Sequence, residues 1–371
     1  MSELIPPLAS DGQILAEVNG CLGLITLNRP QALNALSLGM VRDMTTLLRH
    51  WAASPEIEAV AVIGAGREGK PAAFCAGGDI RFLHQAAHAG DPALDDFFTE
   101  EYRLNHLIHN YPKPYVALMD GIVMGGGMGI SQGSRLRVLS ERSVLAMPET
   151  AIGLFPDVGG GWFLAQCPGH VGEWLALTGH QAAAADALEW GLGDVYVCSE
   201  NWPALIDELR RGAQPSAEHV VATVMQRSDL APLSDGADLL AAINRHFSQP
   251  TLAAVLASLA AAEDTWARQT HAALLKRSPL MMAVTLELVR RGRQLSLADD
   301  LRLERDLVHH AFHLRGAARS ETVEGIRALA VDKDHAPRWQ PASVAEVDPA
   351  EVASFFVSPW PAQAHPLRDL A

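Results

Sequence analysis

Residues 115–129 read Tyr-Val-Ala-Leu-Met-Asp-Gly-Ile-Val-Met-Gly-Gly-Gly-Met-Gly. The first five are apolar enough for a buried strand, and the stretch then turns glycine-rich, with a helix predicted to follow. Glycine lets backbone N–H groups approach a ligand closely and adopt φ > 0. A row of such N–H groups leading into a helix suits an oxygen on which negative charge develops. A strand, a glycine turn and a helix in succession also point to an α/β core.

A second stretch of this kind lies upstream. Phe74-Cys75-Ala76-Gly77-Gly78-Asp79-Ile80 follows a strand predicted over residues 57–63 and stopped by Gly64. Either stretch alone reads as a tight turn. Two of them, each after a strand, make an oxyanion-hole candidate. Nearer the N-terminus, residues 14–18 alternate polar and apolar, and Asn19-Gly20 precedes an apolar run over 22–27. That pattern predicts a hairpin with a two-residue turn. Ser37 is a good N-cap, and Met40, Val41, Met44, Leu47, Leu48 and Trp51 fall on one helical face. Short strands are predicted at 135–139 and 144–147.

Beyond about residue 197 the strand signals thin out. Residues 205–211, 217–226, 237–246 and 251–262 are helix-like, and the helical pattern continues to about residue 330. From Pro337 the chain is proline-rich. The predicted organisation is an α/β core over 1–200, a helical region over 201–336 and an extended tail over 337–371.

The 371 residues are 49% hydrophobic and 19% charged, enough apolar material for a sizeable core, which excludes a mainly disordered chain. The net charge of −14 excludes a general attraction for nucleic acid or anionic membrane. A phosphate-bearing ligand must therefore be held by local basic groups and backbone N–H. The four cysteines form no CxxC pair, so neither a disulfide scaffold nor a zinc ribbon is expected. The N-terminus has no signal-peptide or transit-peptide pattern, and the apolar runs at 121–130 and 252–262 fall short of the ~18 residues of a membrane span. A cytoplasmic location is the expectation.

Three motifs invite other readings. Gly64-Ala65-Gly66-Arg67-Glu68-Gly69-Lys70 fits half of a phosphate loop, but Pro71 stands where the Mg²⁺-binding hydroxyl belongs. Gly129-Ile130-Ser131-Gln132-Gly133 matches the nucleophile elbow of α/β-hydrolases, yet no good strand precedes the serine. Ser131 is expected to be a small polar residue inside a helix. His84/His88 and His309/His313 are each four apart, but no HExxH pattern or third ligand is evident, so solvent-exposed helix histidines and no metal site are expected.

Chemistry concentrates after the strand at 144–147, in Met147-Pro148-Glu149-Thr150-Ala151-Ile152-Gly153-Leu154-Phe155-Pro156-Asp157-Val158-Gly159-Gly160-Gly161. Glu149 and Asp157 are the only acids in this apolar, Gly/Pro-broken segment. Carboxylates in such surroundings have raised pKa values and are acid/base candidates. Spacing alone leaves open that Glu149 caps a helix and Asp157 starts a turn.

Taken together, these stretches resemble the crotonase (enoyl-CoA hydratase/isomerase) superfamily. Leu27-Asn28-Arg29-Pro30-Gln31-Ala32-Leu33-Asn34-Ala35-Leu36 is similar to its N-terminal signature. Residues 74–80, 125–127 and 146–161 resemble its thioester-hydrolysing branch, as do Glu324-Gly325-Ile326-Arg327-Ala328, Asp332-Lys333-Asp334 and Pro337-Arg338-Trp339. The resemblance runs from about residue 20 to about 356 and is weakest over 198–276.

It implies a crotonase-like (ClpP/crotonase) spiral of ββα units with a helical C-terminal region. It implies oxyanion-hole N–H groups at Gly78 and Gly126, an acidic active-site pair at Glu149 and Asp157, and a substrate-contacting acid at Glu101. Backbone contacts to CoA are implied at Ala32 and Ala76. Hydratases of the superfamily carry a second catalytic glutamate two residues past the glycine triplet; here that position is Gly129. The implied activity is therefore hydrolysis of a short 3-hydroxyacyl-CoA, with 3-hydroxyisobutyryl-CoA of valine breakdown as the expected substrate. CoA enters as part of that substrate, with no separate cofactor, nucleic acid or membrane partner. A hydratase or isomerase acting on another acyl-CoA, and a non-catalytic acyl-CoA binder, remain the alternatives. A homo-oligomer is implied too, since crotonases are commonly trimers or paired trimers, although the long helical region could replace such contacts.

Overall fold

In this computed structural model, which describes residues 4–67, 73–211, 216–234 and 236–371, the strands are β1 (Ile14–Asn19), β2 (Leu22–Leu27), β3 (Ala59–Gly64), β4 (Tyr115–Met119), β5 (Ile122–Met124), β6 (Leu136–Leu139), β7 (Val144–Ala146), β8 (Ala182–Ala183) and β9 (Val195–Tyr196). β1 and β2 pair antiparallel from Ile14↔Leu27 to Asn19↔Leu22. The hairpin turn thus falls on Gly20 and Cys21, one residue later than expected. Gly20 takes φ +59°, a value the first position of a tight hairpin turn demands and glycine meets without strain.

From β2 onward the six-stranded sheet β1-β2-β3-β4-β6-β9 is parallel. Leu22, Leu24, Ala59, Ala61, Val116, Leu118, Leu136 and Val138 alternate onto one face of it. There they meet Trp202, Leu205 and Leu209 of the helix Trp202–Arg211 and Val220 and Val224 of the helix Ala217–Gln226. Full burial of a Leu or Val side chain is worth about 1.5–3 kcal/mol, so this layer is a main source of the sheet's stability. On the other face the Trp51 ring lies against Gly23. It comes from the helix Leu38–Ala53, whose first turn is capped by Ser37 Oγ accepting from the Met40 N–H. Cover on both faces explains why β3 and β4 are continuous apolar runs rather than alternating ones.

A smaller sheet has the order β5-β7-β8, β7 and β8 being antiparallel. β5, β8 and β9 are only two or three residues long, too short to show a period, and sequence patterning missed them.

Two compact units emerge, interleaved along the chain. One comprises Met1–Gly78, Arg103–Leu145 and Ala182–Ser234, and holds the six-stranded sheet. The other comprises Asp79–Tyr102, Ala146–Gln181 and Asp235–Ala371, and is helical. The helical stretch after residue 200 is therefore shared out: the helices at 202–211 and 217–226 cover the sheet, and those from Gly236 onward build the second unit. Within that unit the proline-rich stretch, expected as an extended tail, forms the helix Pro349–Phe355 and buries Phe355 and Leu367. Among the described residues no helix is long and apolar enough to cross a membrane. All four cysteines are free thiols.

Candidate active site

In the sheet-bearing unit the two glycine-rich stretches lie side by side. Cys75 pairs with Val123 in a parallel bridge: its N–H donates to Ile122 O over 3.0 Å, and its carbonyl accepts from the Met124 N–H over 2.9 Å. A second bridge joins Gly78 to Leu36. Gly127 has to be glycine, because a Cβ there would stand 2.3 Å from the Cys75 carbonyl oxygen. Among the described residues neither the Gly78 nor the Gly126 N–H donates to any acceptor, although Gly126 is buried. Two unspent donors on adjacent loops suit an anionic oxygen.

The N-terminal signature works as a clamp on these loops. Asn34 is fully buried at φ +56°; its Nδ2 donates to Ala73 O over 2.6 Å and Ala65 O over 3.1 Å, and its Oδ1 accepts from the Arg29 N–H over 2.9 Å. Ala76 N–H donates to Leu33 O over 3.0 Å, which sets Ala76 beside the 3-10 turn Pro30–Ala32. Ala32 and Ala76 thus share one neighbourhood. Asn34 was quoted in the signature without a role; its side chain explains why the motif carries an asparagine.

Ser131 lies in the helix Gly126–Gln132, fully buried, its hydroxyl donating back to Gly127 O and Met128 O over 2.8 and 3.1 Å. That is a helix-interior serine with its hydroxyl engaged. Of the phosphate-loop match, residues 68–70 lie outside the described residues.

The carboxylates gather in the other unit. Glu149 opens a 3-10 turn, Glu149–Ile152, and Asp157 lies in the loop that leads to the helix Gly160–Ala165. Glu101 comes from the helix Ala93–His109. All three are buried, at 6, 6 and 2% exposure. Burial pushes Glu149 well above the ordinary carboxylate range, and the Asp157 charge adds to it. Glu101 is raised well above by the same two causes in the same order. Asp157 is pushed up by burial to only about 6, because the Tyr102 hydroxyl donates to its Oδ2 over 2.8 Å. Asp157 is therefore the acid best placed to carry negative charge, and Glu149 and Glu101 are pushed toward their protonated forms. Among the described residues no donor reaches Glu149 Oε2 or Glu101 Oε1.

Tyr102 was missed by sequence reasoning. It is one residue from Glu101, and a helical tyrosine beside an acid carries no pattern that marks it.

The histidines need a correction. A third group does stand beside His309 and His313: Asp95, from the helix Ala93–His109, at 3.5 Å from His309 Nδ1 and 3.3 Å from His313 Nε2. Sequence distance hid it. The Arg305 guanidinium holds the same carboxylate at 2.5 Å, so the cluster is an ion-pair network with its countercharge in place. His313 is exposed, whereas His309 is only partly so. His84 and His88 meet edge to face, ring centroids 4.6 Å apart.

Comparison with known proteins agrees with this architecture. A family model described as enoyl-CoA hydratase/isomerase matches residues 22–356, and the chain belongs to that family. It is 40% identical over 353 residues to the mitochondrial 3-hydroxyisobutyryl-CoA hydrolase of Xenopus tropicalis, covering 94% of this chain and 89% of that one. To the human protein of the same name it is 38% identical over 359 residues, covering 93% and 89%. Among solved structures it is similar to a carnitinyl-CoA dehydratase from Mycobacterium thermoresistibile, with TM-score 0.87, 37% identity and coverage of 96% and 99%. An enoyl-CoA hydratase from Rhodobacter sphaeroides 2.4.1 gives TM-score 0.83, 39% identity and coverage of 94% and 98%. The fold is the crotonase fold. The cytoplasmic location expected from the N-terminus is overturned by the first comparison, whose relatives are named as mitochondrial enzymes.

Proposed function

We propose that this protein hydrolyses the thioester of 3-hydroxyisobutyryl-CoA to 3-hydroxyisobutyrate and free CoA, a step of valine breakdown. The hydrolases at about 40% identity over nearly the whole chain support it. The dehydratase and hydratase names of the two similar structures favour a second reading, water addition to an enoyl-CoA. One observation decides between them. The helix Gly126–Gln132, Gly-Gly-Met-Gly-Ile-Ser-Gln, has no carboxylate, so the second glutamate of the hydratases is missing, whereas Glu149 and Asp157 are retained and buried.

In this reading the N–H groups of Gly78 and Gly126 stabilise the thioester oxygen as it becomes anionic; one such donor is worth ~10²–10³ in rate. Ala32 and Ala76 offer backbone to the CoA portion, and Glu101 takes the 3-hydroxyl of the acyl group. The acid pair starts with its proton on Glu149 and its charge on Asp157. Moving that proton to Asp157 frees the Glu149 carboxylate to act. As general base it takes a proton from water, whose oxygen bonds to the carbonyl carbon. The tetrahedral intermediate collapses, the C–S bond breaks, and the CoA thiolate takes the proton held on Asp157. Glu149 is again protonated and Asp157 again charged. Direct attack by Glu149, through a mixed anhydride that water then cleaves, uses the same groups.

No separate cofactor enters, and EDTA should leave the rate intact; loss of activity restored by a divalent ion would contradict this. The working form is read as a homo-oligomer, as the superfamily suggests, which light scattering on the purified protein would check. The deciding assay measures free-thiol release from 3-hydroxyisobutyryl-CoA beside hydration of crotonyl-CoA. Thiol release without hydration is expected. Hydration without thiol release would establish the hydratase reading instead.

A further inference from the structure

Of the other carboxylates buried in the helical unit, two reach the segment that follows Asp157, and the reaction above gives them no task. Asp300 and Glu304 sit one turn apart on the helix Leu297–His313, both fully buried. Glu304 Oε2 accepts from the Gly159 N–H over 2.7 Å, and its Oε1 from the Gly161 N–H over 3.0 Å. Asp300 Oδ2 accepts from the Trp162 N–H over 2.8 Å. Three donors at the start of the helix Gly160–Ala165 are thus held by one pair of acids, two residues and more past Asp157.

The segment they hold is strained. Val158, β-branched, takes φ +59°, and Gly159 follows at +88°. A left-handed β-branched residue is strained and persists only where its surroundings enforce it. A Cβ on Gly161 would stand 2.4 Å from Asp300 Oδ1, so the glycine run leaves room for the acids to come in. Burial raises both acids, Asp300 to about 7, where a hydrogen bond with Glu304 holds it lower, and Glu304 well above its ordinary value, where the Asp300 charge adds to burial; the pair is thus pushed toward sharing a proton. A partly neutralised pair limits the charge placed near Asp157 while still offering oxygens to the backbone.

We infer that Glu304 and Asp300 are positioning residues: by gripping Gly159, Gly161 and Trp162 they keep Val158 in its strained turn and so fix the orientation of Asp157. The inference rests on the proposed role of Asp157. A misplacement of about 1 Å at a reacting group can cost ~10²-fold in rate.

The test compares Glu304→Ala, Glu304→Gln and Asp300→Asn in the full-length protein, with thiol release from 3-hydroxyisobutyryl-CoA as the assay. In Glu304→Ala, kcat should fall roughly 10- to 100-fold with KM within about twofold, and amide hydrogen exchange over 157–162 should accelerate. Glu304→Gln keeps one acceptor oxygen and should recover part of the loss; it also serves if the alanine variant does not fold. In an Asp157→Asn background Glu304→Gln should cost almost nothing more, because the group it positions is already disabled. A merely structural role would instead lower the rate by the same factor in both backgrounds. That outcome, or a folded Glu304→Gln with normal kcat beside an impaired Asp157→Asn, overturns the inference alone. A fully active Asp157→Asn overturns the reading of the active site, and this inference with it.

Discussion

The Tyr102 hydroxyl donates to Asp157 Oδ2 over 2.8 Å, and this bond is the main counterweight to the burial that raises Asp157 and Glu149 alike. Hydrogen bonding to the charged form of a carboxylate favours that form. Without it, Asp157 would compete with Glu149 for the proton and the pair would lose its definite starting state.

Tyr102→Phe should therefore move the acid limb of the activity profile. With Asp157 titrating at about 6, kcat should rise with pH through that value as the pair reaches its singly protonated form. Losing the hydroxyl raises the Asp157 pKa, so the limb should shift to higher pH and activity at pH 6 should fall more than activity at pH 8. The ring is fully buried and packs edge-on against Phe98, so Phe keeps its shape. A full pH profile of kcat for both proteins reads the result; an unmoved limb would show that Asp157 does not set it.

How far the sequence led depended on the kind of signal. Ser37, the apolar face from Met40 to Trp51 and the strand at 115–119 were legible because capping and periodicity are local. Gly78 and Gly126 were legible as turns, but that the Cys75–Val123 bridge lays their loops side by side is a tertiary fact. Tyr102, Asn34, Asp300 and Glu304 act through contacts made 31 to 145 residues away, and no local pattern marks them. Asp95 was lost to its histidine partners for the same reason.

Burying Glu101 should cost stability whenever it is ionised. Its folded pKa lies well above the unfolded one, so above the unfolded value the native state binds more protons and stability falls as pH rises. Glu101→Gln removes that dependence. The variant should gain little in melting temperature at pH 4, where the native Glu101 is neutral in any case, and progressively more toward pH 8. Each kcal/mol relieved raises Tm by roughly 2 °C in a chain of this size. Differential scanning calorimetry of both proteins across that range reads the burial penalty of Glu101 together with its interaction with Asp157 and Glu149. A constant or shrinking difference would mean that Glu101 is not the group penalised by burial.

Gly127→Ala and Ser131→Ala should have opposite outcomes although they share one short helix. An added Cβ at Gly127 would meet the Cys75 carbonyl at 2.3 Å, against backbone that cannot swing away, and the two donor loops must part. Displacing one of the proposed oxyanion donors predicts a loss of ~10²-fold or more in kcat. Removing the Ser131 hydroxyl frees only the Gly127 and Met128 carbonyls, which retain their helical environment. Thiol release should stay within about threefold, the loss of one modest hydrogen bond. Abolished turnover in a folded Ser131→Ala would revive the nucleophile-elbow reading.

Glu149→Gln and Asp157→Asn test whether the two acids serve one step. Each amide keeps the shape of its acid but can neither attack a carbonyl nor carry the transferred proton. Glu149→Gln should lower kcat by several orders of magnitude, far more than it alters KM, the pattern of a group used mainly in the transition state. Asp157→Asn should behave likewise, since without it the Glu149 proton has nowhere to go and the thiolate leaves unprotonated. The double variant should lose much less than the product of the single losses, because the second substitution disables a step already disabled. Burial adds a control: replacing a buried ionisable acid by its amide removes a charge penalty, so neither variant should melt below the native protein at pH 8. Low kcat with undiminished Tm, together with non-additive losses, places both acids on one reaction coordinate. If both single variants are folded and keep near-normal thiol release, the pair is structural, and the thioester must be opened by some other group.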